Sequence, residues 1–143
     1  MDLIEIILKW KKELNIEEIT DKPGLYQIYG IHIAYGPDKL LYLGKADNIN
    51  KRLREHDHWI CKEQDIIYRY AEIKESEKDY LADLESLLIF THSPFYNTSS
   101  MSDFHKAHEE DIIIYNIGER GTLVPEISSK YWEIFRNPDK FNI

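Results

Sequence analysis

Two tyrosines that stand in short tripeptides with glycine are the first residues of this chain that could carry chemistry. The tripeptides read Gly-Leu-Tyr at residues 24–26 and Tyr-Leu-Gly at residues 42–44, and Arg52 and His56 follow one helical turn apart. A phenol, a guanidinium that stays charged and an imidazole can together bind and polarise an anion. This combination predicts a site that handles phosphate.

A β-hairpin is predicted to position the two tyrosines. Residues 25–29 are β-prone and alternate in polarity, and residues 40–43 return as a second strand. Between them, residues 35–39 contain the Gly-Pro-Asp sequence of a turn. The two tripeptides are therefore expected on neighbouring strands.

A short helix is predicted to present the arginine and the histidine. Asp47 or Asn48 suits the N-cap, and the helix is expected to run from about residue 49 to residue 56 or beyond. At 3.6 residues per turn, Arg52 and His56 fall on its apolar face. Both side chains then need partners, because an unpaired buried charge is costly.

A further strand and a second helix complete the predicted core. Residues 66–73 are typical of a strand, and residues 77–91 of a helix whose apolar stripe contains Glu85. Asp79 and Asp83 fall on the opposite face, which is expected to be wet.

The two ends of the chain are predicted to lie outside this core. Apolar residues at helical spacing indicate an amphipathic helix within residues 1–20, and a Ser/Thr-rich composition after the core suggests a boundary near residue 98. We expect a core at 21–98 and a C-terminal extension, 99–143, packed on it. Within the extension the expected elements are an acidic helix at 104–110, strands at 111–117 and 123–124, and a helical turn at 131–136.

Composition limits the class of protein. The 143 residues suit one domain, the net charge is −8, and Cys61 is a lone cysteine, so no internal disulfide is possible. No apolar run approaches the roughly 20 residues of a membrane span, and acids stand near the N-terminus where a signal peptide carries bases. These features predict a reduced, cytoplasmic protein with no membrane partner. Residues 39–69 nevertheless hold seven basic and five acidic side chains.

The tripeptides, with the charged residues that follow them, resemble the GIY-YIG nuclease family. The resemblance rests on residues 24–26 and 42–44, each with leucine in place of isoleucine, and on Lys51, Arg52, His56, Glu85, Pro94 and Asn97. It covers about residues 24–97 and has no counterpart at either end. It implies an α/β (α+β) fold with a small mixed three-stranded β-sheet flanked by helices, and cleavage of DNA phosphodiesters with a divalent metal.

The resemblance also implies a role for each residue. Tyr26 and Tyr42 would be active-site tyrosines, Arg52 would contact the scissile phosphate, Glu85 would bind the metal, and His56 takes a position that varies between histidine and tyrosine.

Three further residues are expected on the substrate side. Lys45 and Lys51 could bind backbone phosphates of duplex or branched DNA, although solvated lysines are the default. Asn97 would be a supporting residue rather than a chemical one.

The chemistry of these side chains agrees with the resemblance. One Mg²⁺ or Mn²⁺ on Glu85 can act as a Lewis acid and keep places for water and phosphate. A tyrosine is a poor base until a nearby cation lowers its pKa, and Arg52 with the metal can do so. We therefore expect Tyr26 to act as base or water-orienting group, with His56 as its relay.

Each of these residues also has a structural interpretation. The tyrosines can pack a half-buried hairpin, and Arg52 can form a structural bridge with Glu85. Glu85 can instead bond to a strand backbone, and His56 can be a satisfied core histidine.

Two other interpretations stay open. A zinc site could use His56, His58 and Cys61, or His105 and His108, although no paired cysteines support it. The net charge of −8 favours a catalytically weak nucleic-acid- or protein-binding module with the same fold. Trp10, Trp59 and Trp132 are interpreted as packing residues rather than base-stacking platforms.

Overall fold

Six strands in one sheet form the framework of the part of the chain that the structure describes, a mixed α+β fold. The computed structural model describes residues 2–60, 65–101, 104, 106–136 and 139. The sheet order is β3-β2-β4-β1-β5-β6. The strands are β1 (Leu3–Glu13), β2 (Gly24–His32), β3 (Gly36–Ala46), β4 (Ile67–Glu72), β5 (Asp111–Gly118) and β6 (Glu126–Ser128). The α-helices of this described part are α1 (Ile49–Glu55), α2 (Leu81–His92) and α3 (Ser129–Arg136).

The predicted hairpin and third strand are present, and they form one half of the sheet. β2 pairs antiparallel with β3 on one side and with β4 on the other, so that Tyr26 lies opposite both Gly44 and Tyr70. The three-stranded sheet that the resemblance implied is too small, because the sheet continues through β1, β5 and β6.

The prediction of an N-terminal helix within residues 1–20 is wrong, because residues 3–13 form strand β1. This strand pairs parallel with β5 and, near its end, antiparallel with β4. Ile6, Leu8 and Trp10 are buried, whereas Leu3 and Ile7 are exposed. The alternation of period two therefore prevails over the helical spacing, and strands from both ends of the chain extend the sheet of the predicted core.

Two apolar cores cover the two faces of the sheet. Leu25 and Tyr29 of β2 pack with α2 in the larger core. Tyr26 and Ile28, on the other face, pack with α1 in the smaller one. Because both faces of β2 are covered, residues 24–30 are all buried.

The two core helices lie close to their predicted positions. The Asn48 side chain caps α1 by accepting a hydrogen bond from the Lys51 amide. A 3₁₀ helix, Glu75–Tyr80, precedes α2 where the sequence predicted helix from residue 77. No helix in the described part is long and apolar enough to cross a membrane.

Three details of the later chain differ from the prediction. The return strand lies at Glu126–Ser128 rather than 123–124, and residues 104 and 106–110 form no helix. Asp83, predicted to be wet, is buried because it accepts hydrogen bonds from the amides of Ala107 and His108 and pairs with the His108 ring at 3.0 Å. A loop from outside the predicted core covers that face of α2.

Candidate active site

A buried tyrosine–histidine pair lies at the centre of the candidate site. β2 supplies Tyr26, and His56 follows directly after α1 in a 3₁₀ turn, His56–His58. The Tyr26 hydroxyl and His56 Nε2 are 2.8 Å apart, and the two residues are only 1% and 4% exposed. The structure thus brings together the two residues that the sequence analysis expected to act as base and relay.

Trp59 determines which ring nitrogen of His56 carries the proton. The indole Nε1 donates a hydrogen bond of 2.7 Å to His56 Nδ1. An indole nitrogen only donates, so Nδ1 carries no proton and the neutral ring is protonated at Nε2. Burial, helped by the charge of Arg52, lowers the pKa of His56 to about 4, which keeps the ring neutral near pH 7.

The fixed tautomer determines the direction of the hydrogen bond to Tyr26. Nε2–H of His56 donates, and the tyrosine oxygen accepts. A nitrogen that already carries a proton cannot receive another from the phenol. His56 in this state is placed to stabilise negative charge on the tyrosine oxygen, which differs from the relay expected from the sequence.

An open pocket lies beside the pair. It has a volume of about 540 Å³ and is lined by Tyr42, Arg52, His56, His58, Trp59 and Tyr96. The Tyr42 ring stacks on that of Tyr26 with centroids 6.1 Å apart and planes inclined by 16°. Among the described residues the lining contains an arginine and no carboxylate, so the pocket suits an anion.

The glycines of the two tripeptides are required by close contacts. A side chain at Gly24 would meet the carbonyl of Ala71 and the Ile49 side chain. A side chain at Gly44 would meet the Tyr26 hydroxyl itself. Each glycine therefore allows a neighbouring group to approach, and Gly44 makes the room in which the tyrosine oxygen lies.

Arg52 lies at the pocket rim rather than fully inside. Its side chain is half-exposed and donates to Glu55 at 2.9 Å, one turn along α1. This pair replaces the structural bridge to Glu85 that the sequence left open. An exposed pair at this spacing contributes little stability, so the guanidinium can exchange Glu55 for a phosphate.

Glu85 reaches from α2 to the strand that carries the second tripeptide. Its Oε2 accepts a hydrogen bond of 2.8 Å from the Lys45 amide, as in the strand-backbone interpretation. Burial raises the pKa of Glu85, and this hydrogen bond with the charges of Lys45 and Arg52 offsets part of the rise.

Glu85 offers a single carboxylate to a hard cation. Carboxylate oxygens suit Mg²⁺ and Mn²⁺, which keep several water ligands and need few from the protein. The described residues include no group of three or more His, Cys, Asp or Glu side chains that could hold a metal. Glu85 would thus be the carboxylate ligand, with water and phosphate completing the shell.

Burial dominates the titration of Tyr26. It raises the pKa of the phenol well above the ordinary value, and the neighbouring Tyr42 raises it further. The charge of Arg52 acts in the opposite direction, whereas Glu85 again raises the pKa.

The three residues expected on the substrate side have different surroundings. Lys45 and Lys51 are exposed. Asn97 is buried, donates from Nδ2 to the Leu43 carbonyl at 2.9 Å and accepts from the Leu43 amide at 3.0 Å. Asn97 thereby anchors the segment after α2 to the second tripeptide.

Sequence reasoning missed two members of the pocket, Trp59 and Tyr96. Their ring centroids lie 5.4 Å apart in an edge-to-face contact. The signal for Trp59 was its place three residues after His56, at the spacing of a helical turn. Of the alternative zinc ligands, Cys61 and His105 lie outside the described residues, and both nitrogens of His56 are engaged with Tyr26 and Trp59.

The chain is similar to part of a curated protein. UvrABC system protein C from Flavobacterium psychrophilum is 36% identical over 92 residues, which cover 59% of this chain. The chain spans about 14% of the length of that relative. No protein-family model matches the chain. No solved structure matches it.

Proposed function

We propose that this chain is a divalent-metal-dependent endonuclease that hydrolyses DNA phosphodiester bonds through a GIY-YIG active site. The observation that carries the proposal is a pocket lined by Tyr42, Arg52 and His56, with Tyr26 bonded to His56 beside it and no carboxylate among the described lining residues. The similarity to a segment of UvrABC system protein C supports it, as does the resemblance of the two tripeptides to the family.

The side chains divide the work of hydrolysis among them. Arg52 binds a non-bridging oxygen of the scissile phosphate and stabilises the charge that grows there. Tyr26, ionised with help from the charge of Arg52 and of a bound metal, would orient the attacking water and take its proton. His56 Nε2–H, held by Trp59, stabilises the oxygen of Tyr26 during that step. Tyr42 covers the pair and lines the floor of the pocket.

Glu85 holds the metal in this proposal. A bound Mg²⁺ or Mn²⁺ would supply Lewis-acid charge to the phosphate. Glu85 is fixed for this purpose by its hydrogen bond to the Lys45 amide, which leaves its other oxygen to bind the cation.

The second candidate function is a binding module with the same fold. The net charge of −8 favours it, because DNA binding depends on positive charge that displaces counterions. Such a module would bind nucleic acid or protein without cutting.

The test is an incubation of pure protein with branched, single-stranded and duplex DNA, with Mg²⁺ or Mn²⁺. Wild-type protein is expected to cut at least one substrate, whereas Arg52→Ala and Glu85→Ala lose cleavage. Arg54→Ala is the matched control, because Arg54 is exposed on the same helix and bonds to Asn50. Cleavage that survives both site substitutions would reject the proposed site, and binding without cleavage would identify the module.

A further inference from the structure

Six aromatic rings form a continuous row from the candidate active site to the tip of the β2–β3 hairpin. We call this the aromatic row, and it comprises Tyr42, Trp59, Tyr96, His32, Phe95 and Tyr35. Successive ring centroids along it lie 6.1, 5.4, 6.0, 4.2 and 5.2 Å apart. The row begins in the pocket wall and leaves it over the surface.

The outer part of the row is open to solvent. Tyr35 is 65% exposed, Phe95 43% and Tyr96 39%. Contiguous exposed apolar surface is uncommon on soluble proteins and marks interaction sites. Packing alone does not account for this end of the row, because these rings cover little of either core.

The backbone holds the row in place. The amides of Phe95 and Tyr96 donate to the carbonyls of Leu40 and Leu41 at 3.3 and 2.8 Å. The side chain of Asn97, the next residue along the chain, bonds to the backbone of Leu43 on the same strand. Phe95 and Tyr96 therefore stand on a segment that is hydrogen-bonded along β3, and these two rings need little ordering when a ligand binds.

We propose that the aromatic row binds the unpaired bases of a DNA strand whose backbone passes the active-site pocket. This inference rests on the proposed function and specifies its substrate class. Every base has a flat face that stacks on an aromatic ring, which is how proteins hold single strands without reading their sequence. The bases of a duplex are stacked on one another and cannot reach such rings.

Charge favours a nucleic acid over an apolar protein segment. The row ends at a pocket whose described lining includes Arg52 and no carboxylate. A strand stacked on the row is thus guided to the residue that binds phosphate in the proposed reaction. The substrate is a strand with unpaired nucleotides next to the scissile bond, such as a flap or a single strand.

The experiment measures stacking directly. A 12-nucleotide oligothymidine with one central 2-aminopurine is titrated with the full chain in low salt and Ca²⁺, and a matched duplex is titrated in parallel. Stacking quenches 2-aminopurine, so wild-type protein should quench the single strand and bind the duplex more weakly. Tyr35→Ala and Phe95→Ala should each weaken single-strand binding about tenfold and relieve the quenching.

Tyr131→Ala is the matched control. Tyr131 is also exposed, at 59%, and stands in a second aromatic cluster on α3. α3 packs by β5 and β6, at the other end of the sheet from β3. This variant should bind the oligonucleotide like wild-type protein.

Two outcomes would overturn the inference. One is no binding of the single strand by wild-type protein, which would leave the row to a protein partner. The other is unchanged binding and quenching in both row variants.

The experiments distinguish failure of the proposed active site from failure of the aromatic-row proposal. Loss of stacking in the row variants together with cleavage that survives Arg52→Ala would keep the row and reject the active site. Loss of cleavage in Arg52→Ala with unchanged stacking in the row variants would reject the row alone.

Discussion

Two buried tyrosines, three residues apart on β2, share almost every structural property except their hydrogen bonds. Tyr26 and Tyr29 are 1% and 2% exposed, and burial raises the pKa of both phenols. Each hydroxyl lies where a glycine, Gly44 or Gly121, makes room for it. They point to opposite faces of the sheet.

The hydroxyl of Tyr29 has protein partners both as a hydrogen-bond donor and as an acceptor. Its oxygen accepts from the Thr122 amide at 3.0 Å, and its proton is donated to the Gln27 side chain. The charged end of Arg69 lies 4.5 Å over the ring.

Tyr26 is satisfied only as an acceptor. His56 donates to its oxygen, and no protein acceptor for its own proton is found among the described residues. A phenol that keeps a free donor beside a pocket can still bind a water or a phosphate. The difference shows that burial of a tyrosine is common to structure and function, and that the unused hydrogen bond distinguishes them.

The largest expected effect comes from removing the unsatisfied hydroxyl. Tyr26→Phe should lower the cleavage rate by about 10³-fold, because a positioned acid–base group contributes 10²–10⁴-fold. The loss of stability should be smaller than in Tyr29→Phe, since the phenyl ring keeps its packing and only one buried donor, His56 Nε2–H, loses its partner. Single-turnover cleavage measures the rate, and a variant that retains a tenth of wild-type activity would contradict the role of Tyr26.

The second-largest effect should be a pH dependence of stability that comes from His56, the partner of Tyr26, and has no counterpart at Tyr29. His56 has a folded pKa of about 4 against an ordinary value of 6.5, so the unfolded chain binds its proton first as pH falls. Its contribution to the free energy of unfolding is complete above pH 6.5 and is lost as pH drops towards 4, by at most about 3 kcal/mol.

Chemical denaturation between pH 4 and pH 7 checks this expectation. His56→Gln should remove that slope, while His58→Gln, an exposed neighbour on the same turn, should keep it. Equal slopes in wild-type protein and His56→Gln would show that the histidine is not the group responsible.

Removing the hydroxyl of Tyr29 should lower the free energy of unfolding and leave the cleavage rate unchanged. Tyr29→Phe leaves Gln27 and the Thr122 amide without their partner, and an orphaned buried group costs about 1–3 kcal/mol. We expect a loss of about 2 kcal/mol in urea unfolding and a cleavage rate close to that of wild-type protein. A fall in rate as large as that of Tyr26→Phe would remove the contrast between the two tyrosines.

The smallest effect should come from Trp59→Phe. Without the indole donor, Nδ1 of His56 can carry the ring proton, so the tautomer protonated at Nε2 should no longer be fixed and cleavage should fall about tenfold. Nitrogen NMR of the imidazole reports the tautomer. Trp132→Phe, on α3, is the control, and imidazole signals that stay unchanged in Trp59→Phe would show that the indole does not set the tautomer.

Local patterns in the sequence were sufficient for the centre of the fold. The hairpin, α1 with its Asn48 cap and the core of α2 follow from turn residues, capping chemistry and apolar periodicity, which act over a few residues. The pairing of Tyr26 with His56 followed because both side chains were placed facing inward. Strand β1 did not follow, because residues 2–14 are apolar enough to match both a helical and an alternating period, and its partner β5 is distant in sequence.

Side-chain partners that depend on tertiary packing also could not be predicted from the sequence. Arg52 pairs with Glu55 rather than Glu85, and Asp83 is buried by a loop from residues 106–108. Trp59 became part of the site only because the turn after α1 brings its indole to the far nitrogen of His56. Each of these depends on where a second segment packs, which periodicity does not report.

The parallel pairing of β1 with β5 has a consequence for the order of folding. Leu3 pairs with Asp111 and Trp10 with Gly118, so a ribosome must release most of the chain before the middle of the sheet can close. Until then β1 has a bare edge of amides and carbonyls, ready to bind another chain. Contacts so distant in sequence slow folding. We therefore expect β1 to depend on chaperones during synthesis until residues 111–118 have been made.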